Sequence, residues 1–191
     1  LQSVQKHFKA TPDIAIQEAR LLSMQGNYAE AFAAMNHVRD RATLNDVPFW
    51  HLLAVLAWEI HDHQTALDAE TKLYLLDAAS KYDLQRLIML VGSKNPEAAL
   101  AVAQRGWLKY QLPYFYFESL TYAGQAQQWK TLGQLLRSVP EHDPQGLRSY
   151  ATYWLAMGQW ANALKKYNIA ERAYAEALHL NPEDTIAKKN L

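Results

Sequence analysis

The run His61-Asp62-His63 packs two imidazoles and a carboxylate into three residues, the donor types that zinc takes. No further ligand stands at a spacing that would complete a coordination set, and the same residues serve equally well as a solvated turn between helices, so no metal is expected. A second group, Trp107, Tyr110, Tyr114, Phe115, Tyr116, Phe117, Tyr122 and Trp129, is dense enough in rings to stack sugars or grip a partner. Helix packing claims most of these rings, while Tyr114 and Phe117 stay open to either use. Arg137, Arg148 and the pair Lys165-Lys166 are scattered cations of the kind that solvent ordinarily covers. Glu118 and Glu141 have no spacing that fixes two carboxylates at the separation acid-base hydrolysis needs. There is no Gly-x-Ser-x-Gly turn and no phosphate-cradling loop among the seven glycines. No catalytic residue and no cofactor follow from these patterns; the expectation is a protein that is not an enzyme.

Composition narrows the partners. The 191 residues carry 19 basic and 19 acidic side chains, so the long-range field that nucleic-acid binders use on phosphates is missing and no nucleic acid is expected. With no cysteine, disulfide staples and thiolate sites are excluded, and both cytoplasm and periplasm stay open. The longest purely apolar run, Leu52 to Trp58, has seven residues against the roughly 20 a spanning helix needs, so no membrane contact is expected from this stretch itself. Starting at Leu1, the sequence reads as a piece of a longer protein.

The elements that must position these residues announce themselves as a repeat. Five hexapeptides resemble one another: Gly26 to Ala31, His61 to Ala66, Lys94 to Ala99, Gln127 to Leu132 and Gly158 to Ala163. Their last residues recur at intervals of 35, 33, 33 and 31. Seven residues past each anchor, near two helical turns, stand Val38, Leu73, Gly106, Val139 and Ala170, which places both on one face of a second helix. A first helix begins some sixteen residues before each anchor, most clearly over Phe49 to Ile60, where Trp50, Leu53, Ala54, Ala57 and Ile60 make one buried stripe. Proline costs about 3 kcal/mol inside a helix. Pro12, Pro48, Pro113 and Pro144 precede first helices, Pro96 falls in a turn, and Pro140 and Pro182 follow second helices. In the fifth unit Ala163 and Ala170 both fit the anchor, which predicts a second helix lengthened to run from about Trp160 to His179.

These features resemble the tetratricopeptide repeat, a helix-turn-helix unit of about 34 residues. The matching residues include Gln25 to Ala31, then Trp50, Leu53, Ala54 and Ala66, and above all Ala170 to Pro182. The resemblance implies an all-α solenoid over residues 1–191, with about five hairpins. Its units cover about 12–46, 47–80, 81–112, 113–143 and 144–184, with partial repeats at 1–11 and 185–191. A narrower likeness is carried by Phe49 to Trp58, Asp83 to Ile88 and Pro96 to Ala103, which together are similar to the periplasmic repeat region of Pel-type exopolysaccharide export proteins. That likeness implies a periplasmic scaffold whose parent sits in the outer membrane and whose partner is a polysaccharide-modifying enzyme, a deacetylase or hydrolase.

Stacked hairpins of this kind leave a concave face lined by first helices. By phase, that face presents Arg20, His51, Val55, Trp58, Gln85, Met89, Tyr114, Phe117, Thr121, Arg148 and Thr152, a mixture suited to a protein surface. The carboxylate clamp by which some members of the family hold chaperone tails is not matched, since its places hold Ile16, Arg20 and Leu52. The expected function is a protein-docking scaffold. The alternatives are a surface that guides exopolysaccharide, with Trp58, Tyr114 and Phe117 as platforms, and a cytoplasmic adaptor.

Overall fold

The computed structural model describes residues 11–191, so the partial repeat expected at residues 1–10 lies outside it. Eleven α-helices and no strand are found among the described residues, in the helix-turn-helix order of a tetratricopeptide-like solenoid. The chain divides into two compact units between residues 90 and 91. The first holds α1 (Pro12–Met24), α2 (Tyr28–His37), α3 (Val47–Glu59), α4 (His63–Leu75) and, but for its last residue, α5 (Lys81–Val91). The second holds α6 (Pro96–Tyr110), α7 (Pro113–Gln125), α8 (Trp129–Arg137), α9 (Ala151–Ala163), α10 (Tyr167–Leu180) and α11 (Thr185–Asn190).

Local chemistry sets the helix starts. The Thr11 hydroxyl accepts the Ile14 N–H, Asn95 Oδ1 accepts from Ala98, and Asp184 Oδ1 accepts from Ile186 and Ala187, each satisfying donors that a helix leaves free in its first turn. Pro96, expected in a turn, instead opens α6, where its missing N–H is no loss. In four of the five hairpins the backbone between first and second helix turns through one left-handed residue: Gly26 at φ +81°, His61 at +61°, Gln127 at +54° and Lys165 at +58°.

That recurring turn corrects the fifth unit. Residues 158–163 lie inside α9, and no helix runs from Trp160 to His179: α9 ends at Ala163 and α10 starts at Tyr167 after the turn at Lys165. The anchor is therefore Ala170, 4% exposed, in line with the fully buried Ala31, Ala66, Ala99 and Leu132, whereas Ala163 is exposed. The extra residues sit in the connection from α8 to α9, which folds into a 3₁₀ turn over Leu147–Ser149.

With the register corrected, Trp50 and Trp154 become equivalent, each sixteen residues before its anchor. Each indole N–H donates to a carbonyl of the connection before its own helix, Trp50 to Thr43 at 2.8 Å and Trp154 to Arg148 at 2.7 Å. The same device ties both connections down and satisfies a half-buried donor. In the second unit the core gathers Tyr116, Leu120, Leu132, Leu136 and Tyr153, all buried. α6 lies so close to α7 that a Cβ on Gly106 would stand 2.4 Å from Cδ1 of Phe115.

Candidate protein-docking surface

Two depressions on first helices gather the residues that the repeat phase points to. In the first unit Arg20 of α1 meets Pro48, His51, Leu52 and Val55 of α3 around a cavity of about 430 Å³. Arg20, His51 and Val55, expected on one face, are thus brought together. In the second unit Thr121 of α7 and Thr152 of α9 line a cleft of about 420 Å³, with Ile186 and Asn190 of α11 also in its lining. The remaining predicted residues lie outside both. Trp58 packs edge-on to His63 with ring centroids 5.7 Å apart, Met89 is exposed on α5, and Gln85 is half-buried on the same helix.

Arg148 is not a groove residue. It stands in the 3₁₀ turn ahead of α9, and its guanidinium donates to the carbonyls of Val139 and Pro140 at 2.9 Å and Glu141 at 3.2 Å. Asp143 closes the same loop by accepting the Leu147 N–H at 2.9 Å and the Arg148 N–H at 2.7 Å. The sequence phase missed this because it counted back from Ala163. Counting from Ala170 puts Leu155 and Gln159 where Arg148 and Thr152 were expected, and both line the cleft with Asn162. Arg20, Val55, Thr121 and Gln159 then each stand eleven residues before their anchors, and each borders a depression of its own unit.

The aromatic residues split between the two uses open to them. The Phe117 ring lies 4.8 Å from Tyr150 and 5.7 Å from Tyr116 and packs on the core. Tyr114 stays half-buried on α7. Burial pushes its hydroxyl up to about 12, with the Glu118 carboxylate adding to the shift.

The first depression rests on a buried polar chain. His51 Nδ1 lies 2.9 Å from Asp83 Oδ2, Arg86 Nη2 donates to Asp83 Oδ1 at 2.5 Å, and Arg86 Nε donates to Glu70 Oε1 at 2.6 Å. Asp83 also accepts the Ser80 N–H at 2.7 Å while its own N–H donates to Ser80 Oγ, so the pair forms the reciprocal cap that starts α5. The bond to Asp83 holds His51 above the usual imidazole range against the opposing effect of burial. Burial raises Asp83, but its bonds from His51 and Ser80 outweigh that and leave it low. Glu70 is wholly buried, its Oε2 has no hydrogen-bond partner among the described residues, and burial lifts its carboxyl to about 7 despite Arg86. Ser80 is engaged in the cap, and the bonds from His51 and Arg86 to Asp83 and from Arg86 to Glu70 tie α5 to α3 and α4.

His61-Asp62-His63 is likewise absorbed by structure. His61 makes the left-handed turn, and Asp62 caps α4 by accepting the Thr65 N–H at 3.1 Å and its hydroxyl at 2.7 Å.

An all-α array of helical hairpins with apolar and amide-lined depressions on its first helices is a protein-binding repeat. The chain belongs to the tetratricopeptide repeat family, whose model matches residues 4–191. Members of that family are in general non-catalytic interaction scaffolds. No curated protein matches the chain in sequence. Among solved structures, YrrB, described as a TPR protein with an unusual peptide-binding site, superposes with a TM-score of 0.72 at 15% identity, covering 100% of this chain and 97% of that one. MamA protein gives 0.62 at 16% identity over 94% and 96%. The C-terminal part of a TPR repeat-containing protein from Cytophaga hutchinsonii gives 0.55 at 16% over 92% and 76%. At these identities the likeness is one of fold.

Proposed function

We propose that this chain docks segments of another protein on the first-helix walls of its two units, each unit with its own depression. The observation that carries the reading is the equivalence of Arg20, Val55, Thr121 and Gln159, a repeat position that in four of the five hairpins borders a depression of its own unit, its third-hairpin counterpart Ile88 being buried. Pro48, Leu52 and Val55 offer apolar area for an anchoring side chain, and Gln159, Asn162 and Asn190 offer donors and acceptors that an extended backbone can use. The fold match to YrrB, a peptide-binding member, supports the same use. The finer setting we propose is the periplasm, in an exopolysaccharide export assembly whose parent lies in the outer membrane and whose docked partner is a polysaccharide-modifying enzyme. The runs Phe49 to Trp58, Asp83 to Ile88 and Pro96 to Ala103 support it by their likeness to that export family.

Capture of the purified enzyme on the immobilised chain tests the setting, and Val55→Glu and Gln159→Glu test the wall. Capture that each substitution weakens supports both; capture no better than by an unrelated repeat protein removes the enzyme. Heat on titrating purified oligosaccharide into the chain would instead favour direct handling of the polymer, a use that the packing of Phe117 against Tyr150, Tyr116 and the core disfavours.

A further inference from the structure

Glu118 lies one turn after Tyr114 and one turn before Tyr122 on α7, so the carboxylate is bracketed by two phenol rings on one stripe of the helix. Thr121 and Gln125, three and seven residues on, share that stripe and line the cleft of the second unit. Glu118 and the two tyrosines that bracket it are all half-buried. Glu118 makes no hydrogen bond or ion pair among the described residues, and burial alone, with no cation to offset it, pushes its carboxyl above the usual range. A carboxylate half withdrawn from water without a partner costs the free chain stability. The fully buried face of α7 is made by Phe115, Tyr116, Ser119, Leu120 and Ala123, and of the stripe only the Tyr122 ring reaches the core, so core packing does not call for a carboxylate at Glu118.

We propose that Glu118, between Tyr114 and Tyr122, is the specificity-determining residue of this wall and receives an arginine or lysine side chain of the docked segment. A guanidinium or ammonium there gains the carboxylate's charge beside the phenol rings that flank it, and it removes the cost the free chain carries. The same bracket excludes acidic segments, which would bring like charge to a half-desolvated site. The inference rests on the docking wall proposed above and assigns the charge of what docks.

The test uses the full chain and a small probe. Amide and aromatic NMR shifts are followed on titration with N-acetyl-arginine methylamide, and with N-acetyl-norvaline methylamide as the neutral control, for the wild-type chain and for Glu118→Gln. The expected result is a saturable response at Tyr114, Glu118 and Tyr122 with the arginine probe alone, about tenfold weaker in Glu118→Gln. The variant is expected to melt no lower than the wild type, because it removes an unpaired charge. Equal response in the variant, a response elsewhere on the chain, no saturable response, or a lower melting temperature for Glu118→Gln overturns the assignment. A silent titration with enzyme capture still sensitive to Val55→Glu and Gln159→Glu removes only the basic side chain; loss of that sensitivity as well removes the wall.

Discussion

The ring of Tyr174 on α10 lies directly against Gly158 on α9: a Cβ built on that glycine would stand 2.6 Å from both Cδ1 and Cε1 of the ring. Helix interiors ordinarily favour alanine over glycine by about 1 kcal/mol. Here the ring is 2% exposed and cannot swing clear, so overpacking of about 1–3 kcal/mol outweighs the propensity gain. Gly158→Ala is expected to lower the denaturation midpoint, and Gly158→Ala combined with Tyr174→Leu to lose less than the two single changes added. A stabilised Gly158→Ala would show that the two helices are not packed this tightly.

The register of the last hairpin makes a second prediction. Ala170 is 4% exposed at the helix contact, and Ala163 is exposed at the end of α9. Ala170→Leu should therefore cost about 1–3 kcal/mol in chemical denaturation. Ala163→Leu should stay within about 0.5 kcal/mol. A long helix through both residues would make the two substitutions comparable.

Stability should also depend on pH through the buried chain from His51 to Glu70. His51 and Glu70 hold their protons more tightly in the fold than in the unfolded chain, Glu70 up to about 7. What they contribute is present in full below the unfolded pKa, about 6.5 for His51 and about 4.5 for Glu70. It is lost as pH rises through the folded values. Asp83 has the opposite sign: its contribution is present above an unfolded pKa of about 4 and lost as pH falls through its lower folded value. Denaturation midpoints between pH 4 and 9 should thus fall on the alkaline side, and Glu70→Gln should flatten that fall between about pH 5 and 7. An unchanged slope in Glu70→Gln would mean that Glu70 is ionised throughout.

Most of the fold was legible because small anchors recur where second helices must meet first helices, and prolines recur where helices can tolerate them. The fifth unit misled for a physical reason. Gly158 to Ala163 imitates the turn hexapeptide of Gly26 to Ala31, yet its glycine is there to admit Tyr174 and not to turn the chain. The true turn is made at Lys165, a residue type that gives no sign of a left-handed backbone, as is Gln127 in the preceding repeat. Seven residues are nearly two helical turns. An anchor misplaced by seven therefore keeps the helix face but shifts along it, which is why Thr152 still reached the cleft while Arg148 fell into the preceding loop. The amides of Gln159, Asn162 and Asn190 were missed with it. The chain from His51 through Asp83 and Arg86 to Glu70 joins three helices and has no local spacing to reveal it.

Photo-crosslinking from single positions in living cells tests the docking wall most directly. Benzoylphenylalanine replaces Val55 or Leu155, both on the depressions, or Glu30 or Glu171, exposed on the second helices α2 and α10. One protein adduct shared by Val55 and Leu155 and missing at Glu30 and Glu171 is the predicted result. Adducts confined to Glu30 or Glu171, or no protein adduct from either depression, would contradict it.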